Sequence, residues 1–157
     1  MAFAPSSMSL TSPQFSAMGA IPKANSAEAE DRSPALSWTA GPEGTQAYAV
    51  ICHDPDAPLV QNGTYGYVHW VLYNLPAETM SLDEGTQVGT SGVNDGGRLG
   101  YGGPMPPEGH GPHCYYFWVL ALDQVLDLPE GLTLPEFLTQ IEPHLLGMSR
   151  LIGTYER

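Results

Sequence analysis

Four short stretches carry residue types that could do chemistry together. Asp54-Pro-Asp-Ala-Pro58 sets two carboxylates, Asp54 and Asp56, two residues apart in a proline-stiffened segment, so both can point into one space; Asp and Pro are also ordinary turn residues. His69 sits inside an apolar, aromatic run, where a histidine is either a satisfied core residue or the polar floor of a pocket. His113 and Tyr115 share a face at the entrance of another such run, directly after a loop rich in Gly and Pro. That loop, Tyr101-Gly-Gly-Pro-Met-Pro-Pro107, offers backbone N–H groups without bulky side chains, which can cradle an anion. It lacks the Lys-Ser/Thr ending and following helix of a phosphate-binding P-loop.

The chemistry that suits this set is anion binding by histidine. A carboxylate beside an imidazole favours the protonated ring, which then donates to an anion. Tyr115 and loop amides add neutral donors, and the aspartates orient and charge the histidines in a pocket without Lys or Arg. The histidine pKa is expected to rise, and binding to weaken as pH increases. The competing reading is a hydrolase in which His69, His113, Asp54 and Asp56 ligate a metal or form acid–base pairs. His-Glu-x-x-His and Cys-x-x-Cys spacings are absent, as is a Gly-x-Ser-x-Gly elbow, and Ser91 and Ser149 have no evident base. The expectation is a non-enzymatic protein without metal or cofactor.

Three strands must position these residues. Gln46–His53 is apolar on both faces, as in a buried central strand. Gly66–Leu75 and His113–Leu122 are dense in aromatic and β-branched residues. Alternation places Tyr67, His69, Val71 and Tyr73 on one face, with Val68, Trp70, Leu72 and Asn74 on the other; His113, Tyr115, Phe117 and Val119 likewise share a face. The separations exclude two-residue hairpins, and the longer crossings point to a Greek key. The run Leu36-Ser-Trp38 adds an apolar pattern, and residues 1–34 suggest one or two edge strands and a long surface excursion, with Ala24–Asp31 as loop. About half of Gly89–Pro112 is Gly or Pro, interleaved with Tyr101 and Met105, so this long loop is expected to be ordered and functional. One helix is predicted near 134–142. Thr133 and Glu136 have capping-box spacing, Leu134, Phe137, Leu138, Ile141 and Leu145 form an apolar stripe, and Pro143 ends it. The predicted fold is mainly β: a Greek-key sandwich of two sheets with one clear C-terminal helix, in a single domain over 1–157.

Composition narrows the partners. The 157 residues carry a formal net charge of −12, with Lys23 the only lysine and Arg32, Arg98, Arg150 and Arg157 scattered without a basic patch. Nucleic acid and anionic membranes both need clustered cations, so both are disfavoured. No apolar run approaches a membrane span, and the chain shows no signal-peptide pattern, which predicts a cytoplasmic protein. Cys52 and Cys114 fall in apolar runs and read as buried free thiols, although a bridge between neighbouring strands is not excluded.

The motifs, in order, resemble the prokaryotic, Raf kinase inhibitor-like branch of the phosphatidylethanolamine-binding family. They are Ser33-Pro-Ala-Leu-Ser-Trp38, Asp54-Pro-Asp-Ala-Pro58, His69-Trp-Val-Leu-Tyr-Asn-Leu-Pro76, Gly92-Val-Asn94, Tyr101–Pro107, Gly109-His-Gly-Pro-His-Cys-Tyr115 and Leu151–Arg157. The resemblance spans roughly residues 8–157. It implies a pocket for phosphate-like anions or a phospholipid headgroup in which Asp54 and Asp56 are the paired aspartates, His69 precedes the Trp, Gly103 and Pro104 form a wall, and His113 and Tyr115 flank the family's arginine position. It further implies possible inhibition of a kinase or protease by protein contact, and a possible homodimer. Two departures stand out. Cys114 replaces the arginine and by alternation faces away from the pocket, and Met105 replaces a cysteine common in this branch. The lost arginine is also the one feature favouring a purely structural protein with a vestigial pocket.

Overall fold

The computed structural model describes residues 6–58 and 65–157. Its strands are β1 (Leu10–Thr11), β2 (Leu36–Trp38), β3 (Ala47–Asp54), β4 (Tyr67–Pro76), β5 (Ser81–Leu82), β6 (Thr90–Ser91), β7 (His113–Leu122) and β8 (Leu145–Tyr155), with helix α1 over Leu134–Ile141. Two antiparallel sheets result, one of order β1-β2-β5 and one of order β6-β4-β3-β7-β8. Strand β3 pairs with β4 on one side and β7 on the other, so the chain crosses over β3 to reach β7, as expected of a Greek key. No helix among the described residues is long and apolar enough to cross a membrane.

Both faces of the larger sheet are covered, which is why β3 is apolar from Ala47 to Cys52. One face packs Tyr48, Val50, Cys52, Trp70, Leu72, Phe117 and Val119 against Leu10, Leu36, Trp38 and Leu82 of the smaller sheet. The other packs Ala49, Ile51, Val68, Val71, Tyr73 and Leu120 against Phe137 and Ile141 of α1. The helix begins with the predicted capping box: the Glu136 amide donates to Thr133 Oγ1, and the Thr133 amide donates to Glu136 Oε2. The apolar stripe is narrower than expected. Leu138 is 40% exposed, and Leu145 lies beyond a short 3-10 turn, Glu142–His144, as the first residue of β8.

Three expectations need correction. First, β8 pairs with β7 along its whole length, yet no strand was expected there. Second, simple alternation fails in β4. Cys52 opposes Trp70 and His53 opposes Val68, so His69 is an extra residue in a β-bulge. The bulge turns Trp70 and Leu72 to the same face as Tyr67 and His69, while Val68, Val71 and Tyr73 share the opposite one. A second irregularity follows at Asn74, whose φ is 57°. Third, Ala24–Asp31 is largely loop, as expected, but the surface excursion expected of residues 1–34 is not wholly at the surface. Asn25 and Ser26 are fully buried, and Asn25 Nδ2 donates to Arg32 O and Glu84 Oε1. Both cysteines are free; Cys52 is buried as expected, but Cys114 is only half-buried.

Truncating Phe137 to Ala should remove about 3–5 kcal/mol of stability, because the side chain is fully buried against the sheet. Thr133→Ala should cost about 1 kcal/mol through the lost cap. Urea unfolding would show both as lower midpoints at unchanged slope; an unshifted midpoint for Phe137→Ala would mean that α1 contributes nothing to the cooperative core.

Candidate functional site

At one end of the larger sheet, β3 ends where β7 begins. Asp54 closes β3 and is 3% exposed. Its Oδ1 accepts the Asp56 amide at 2.8 Å, which forms the turn after the strand, and its Oδ2 accepts from His113 Nδ1 at 2.8 Å. His113 Nε2 lies 2.7 Å from Nδ1 of His110, so the two imidazoles share a proton across that gap. Both nitrogens of His113 are thereby engaged within the protein, and the ring has no donor to spare for a ligand.

His69 is anchored differently. Its Nδ1 lies 2.6 Å from the Gly102 carbonyl, which can only accept, so this nitrogen carries the hydrogen. Among the described residues nothing bonds Nε2. Burial pushes the His69 pKa down, outweighing the Gly102 hydrogen bond and the Asp54 charge that push it up. The expected rise in histidine pKa is thus overturned here: desolvation of the imidazolium exceeds its attraction to the carboxylate. The neutral ring leaves Nε2 as an acceptor.

Tyr115 stands between the two histidines, its ring centroid 5.1 Å from that of His69 and 6.5 Å from that of His113. It is fully buried, and its hydroxyl has no hydrogen-bond partner among the described residues. Burial first, and then the Asp54 charge, push its pKa far up, so it remains a neutral O–H donor. Gly103 supplies a wall that only glycine fits: a Cβ there would lie 2.5 Å from Asn25 O and 2.7 Å from Asp31 Oδ1. Its amide donates to that same Asp31 oxygen at 2.6 Å.

These groups line a cavity of about 590 Å³ that takes in Asp54, His69, Gly103, His113 and Tyr115. Two predicted members fall outside it. Asp56 is exposed, and its Oδ2 accepts the Cys114 amide at 2.7 Å. Pro104 is buried behind the wall, where its carbonyl accepts from the Ala27 amide at 3.0 Å. One residue taken for scattered surface charge does line the cavity, namely Arg98, together with Tyr67, Asp95 and Met105. The expectation of a pocket without Lys or Arg is therefore corrected. Arg98 arrives through Asn94, whose Oδ1 accepts the amides of Gly96 and Arg98 while its Nδ2 donates to Gly100 O. The guanidinium lies 3.4 Å from Asp31, and its side chain stays 64% exposed. The Asn94-Asp-Gly-Gly run was the signal for this turn, but nothing in it shows where the turn aims. His110 was missed in the same way. Among the described residues, no group of three or more His, Cys, Asp or Glu side chains is arranged to hold a metal ion.

The chain is similar to known proteins in sequence and in fold. The family model for phosphatidylethanolamine-binding protein matches residues 11–156. A UPF0098 protein of Methanothermobacter thermautotrophicus is 39% identical over 96% of this chain and 99% of its own. The crystal structure of a phosphatidylethanolamine-binding protein homologue from Chlamydia trachomatis superposes with a TM-score of 0.88 at 37% identity, covering 96% of this chain and 97% of that one. YbcL of Escherichia coli superposes with a TM-score of 0.87 at 26% identity, covering 97% and 99% of the two chains. Strand order, site motifs and full-length similarity to archaeal and bacterial members lead to one assignment: the chain belongs to the phosphatidylethanolamine-binding protein family, in its prokaryotic branch.

Proposed function

We propose that this protein binds a small phosphate-like anion in the cavity and does so without catalysis. The observation that carries the reading is the Tyr115 hydroxyl. A buried donor without a partner is costly; this one has none among the described residues, and Tyr115 lines the cavity, as Arg98 does. A bound anion would accept from both. Family membership supports a ligand-binding or regulatory role, and by resemblance alone the reading extends to a regulator that inhibits a kinase or a protease through protein contact. In this scheme the histidines are not the cations that hold the ligand. His113 is a positioning residue, fixed by Asp54 and His110, and His69 offers an acceptor.

Calorimetric titration with inorganic phosphate near neutral pH tests the reading; no heat and no saturable shift in a parallel NMR titration would overturn it. Arg98→Ala should weaken binding about tenfold or more, as expected for loss of a charge-assisted hydrogen bond worth about 1.5–3 kcal/mol. Tyr115→Phe should act with opposite signs on two quantities. Affinity should fall about five- to tenfold, while the unliganded protein should be as stable as before or more stable by about 1 kcal/mol, because the deleted hydroxyl has no partner among the described residues. Cys114→Ala should leave affinity unchanged, since the pocket uses this residue's backbone position and not its side chain.

The neutral His69 also marks the pH dependence of stability. Its folded pKa lies below its unfolded one, so its contribution is complete above the ordinary histidine pKa and is lost as pH falls through the lowered folded value. Urea midpoints measured downward from about pH 8 should therefore drop on the acid side, and His69→Phe should flatten that part of the profile. An equal acid slope in the variant would assign the loss to other groups.

A further inference from the structure

We propose that the cavity selects a phosphate group that still carries a proton, as inorganic phosphate or a phosphate monoester does, and rejects tetrahedral anions of the same size that have none. The inference rests on the anion-binding reading and adds the protonation state of the ligand. It follows from the mixed hydrogen-bonding character of the cavity wall. The Gly102 carbonyl, 2.6 Å from His69 Nδ1, fixes the hydrogen on that nitrogen. With the ring neutral, as its burial favours, the opposite ring atom Nε2 is a lone pair, and His69 lines the cavity. Beside His69 stands the Tyr115 ring, 5.1 Å away centroid to centroid, whose hydroxyl has no hydrogen-bond partner among the described residues. A ligand that accepts from Tyr115 and donates to His69 satisfies both, and a hydrogen phosphate has P–O and P–O–H on one group. Sulfate or a phosphodiester would set an oxygen lone pair against the Nε2 lone pair.

The charges around the ring point the same way. His69 is faced from β3 by Asp54 and His53, from the loop after β6 by Asp95, and from β7 by His113 and Tyr115, while Tyr67 lies 4.7 Å away, ring centroid to centroid, on its own strand. Asp54 is already saturated by the Asp56 amide and His113 Nδ1, so its negative charge is fixed in the wall. Asp95 adds a second carboxylate, and Arg98 is the cation that lines the cavity, itself held by Asp31. One guanidinium against two carboxylates favours a ligand with the least negative charge that still engages Arg98. A monoanion that keeps its proton meets that condition better than a dianion.

The test is a competition among four probes on the wild-type protein: inorganic phosphate and monomethyl phosphate, which can carry a proton near neutrality, against sulfate and dimethyl phosphate, which cannot. Phosphate and monomethyl phosphate should bind about ten- to a hundredfold more tightly than the other two, the range expected for one charge-assisted hydrogen bond made or lost. The ratio of monomethyl to inorganic phosphate tells an ester from free phosphate as the better ligand. Apparent affinity for monomethyl phosphate should fall about tenfold per pH unit above its second pKa of about 6, and sulfate affinity should stay flat there. His69→Gln, whose amide can turn a donor toward the ligand, should bring the phosphate-to-sulfate ratio toward one. If that variant does not fold, the wild-type ratio and pH profile still decide. Equal binding of sulfate and phosphate would overturn proton selection and leave the anion-binding reading standing; failure of all four probes to bind would overturn both.

Discussion

A carboxylate buried at the end of a strand has to be satisfied, and the way Asp54 is satisfied organises this end of the molecule. One oxygen takes the Asp56 amide and so folds the chain back on itself after β3; the other takes His113 Nδ1 and so fixes the first residue of β7. Leaving such a group unpaired costs about 3–5 kcal/mol, which is enough to specify both the turn and the histidine rotamer. His110 is then recruited by the remaining nitrogen of His113. The loop that carries His110 is tied down in turn by Arg157, whose carbonyl accepts the Gly109 amide and whose Nε donates to Pro106 O. The frame of the cavity is thus built from polar groups that are used up in building it. The Tyr115 hydroxyl is left over, without a hydrogen-bond partner among the described residues.

Much of this was legible in the residues, and the failures have physical causes. The central strands and α1 were readable because β-branched and aromatic density, a capping box and a period-3.6 stripe are local signals. Strand β8 was not, because LLGMSRLIGTY alternates poorly and contains two glycines. The reason for Gly153 is tertiary: a Cβ there would lie 2.6 Å from Ile21 Cγ1 and 2.8 Å from Phe15 Cε2, so the strand gives up β propensity to let residues 15–21 pack across it. Similarly, alternation put His69 with Val71 and Tyr73. The bulge that moves it is a long-range effect, set by the register of β3 against β4, and no local pattern announces it.

The site shows the same division. Asp54, His69, Gly103, His113 and Tyr115 were identified and do line one cavity. Asp56 was paired with Asp54 by spacing, but a turn that spends the Asp56 amide on Asp54 swings its carboxylate outward to the Cys114 amide. Arg98 was set aside because charge clustering was sought along the chain, whereas its place on the cavity depends on the Asn94 side chain bonding three backbone groups. Single cations brought in by loops are the residues that reading by local pattern is least able to place.

The cysteine at position 114 fits the frame for a reason that concerns backbone. The family's arginine at this position is absent, yet Asp56 is not left without a partner: its carboxylate accepts the residue-114 amide, a donor that any residue except proline provides. Burial, and after it the Asp56 carboxylate, raise the Cys114 thiol pKa, which keeps the thiol protonated and inert beside that charge. His113 and Tyr115, on the other face of the strand, keep their rotamers because Asp54 and the β7–β8 register hold them, not the side chain between them. Cys114 at this position therefore leaves these backbone and side-chain contacts in place. Arg98 is the one Lys or Arg among the described residues that lines the cavity, in a chain with net charge −12.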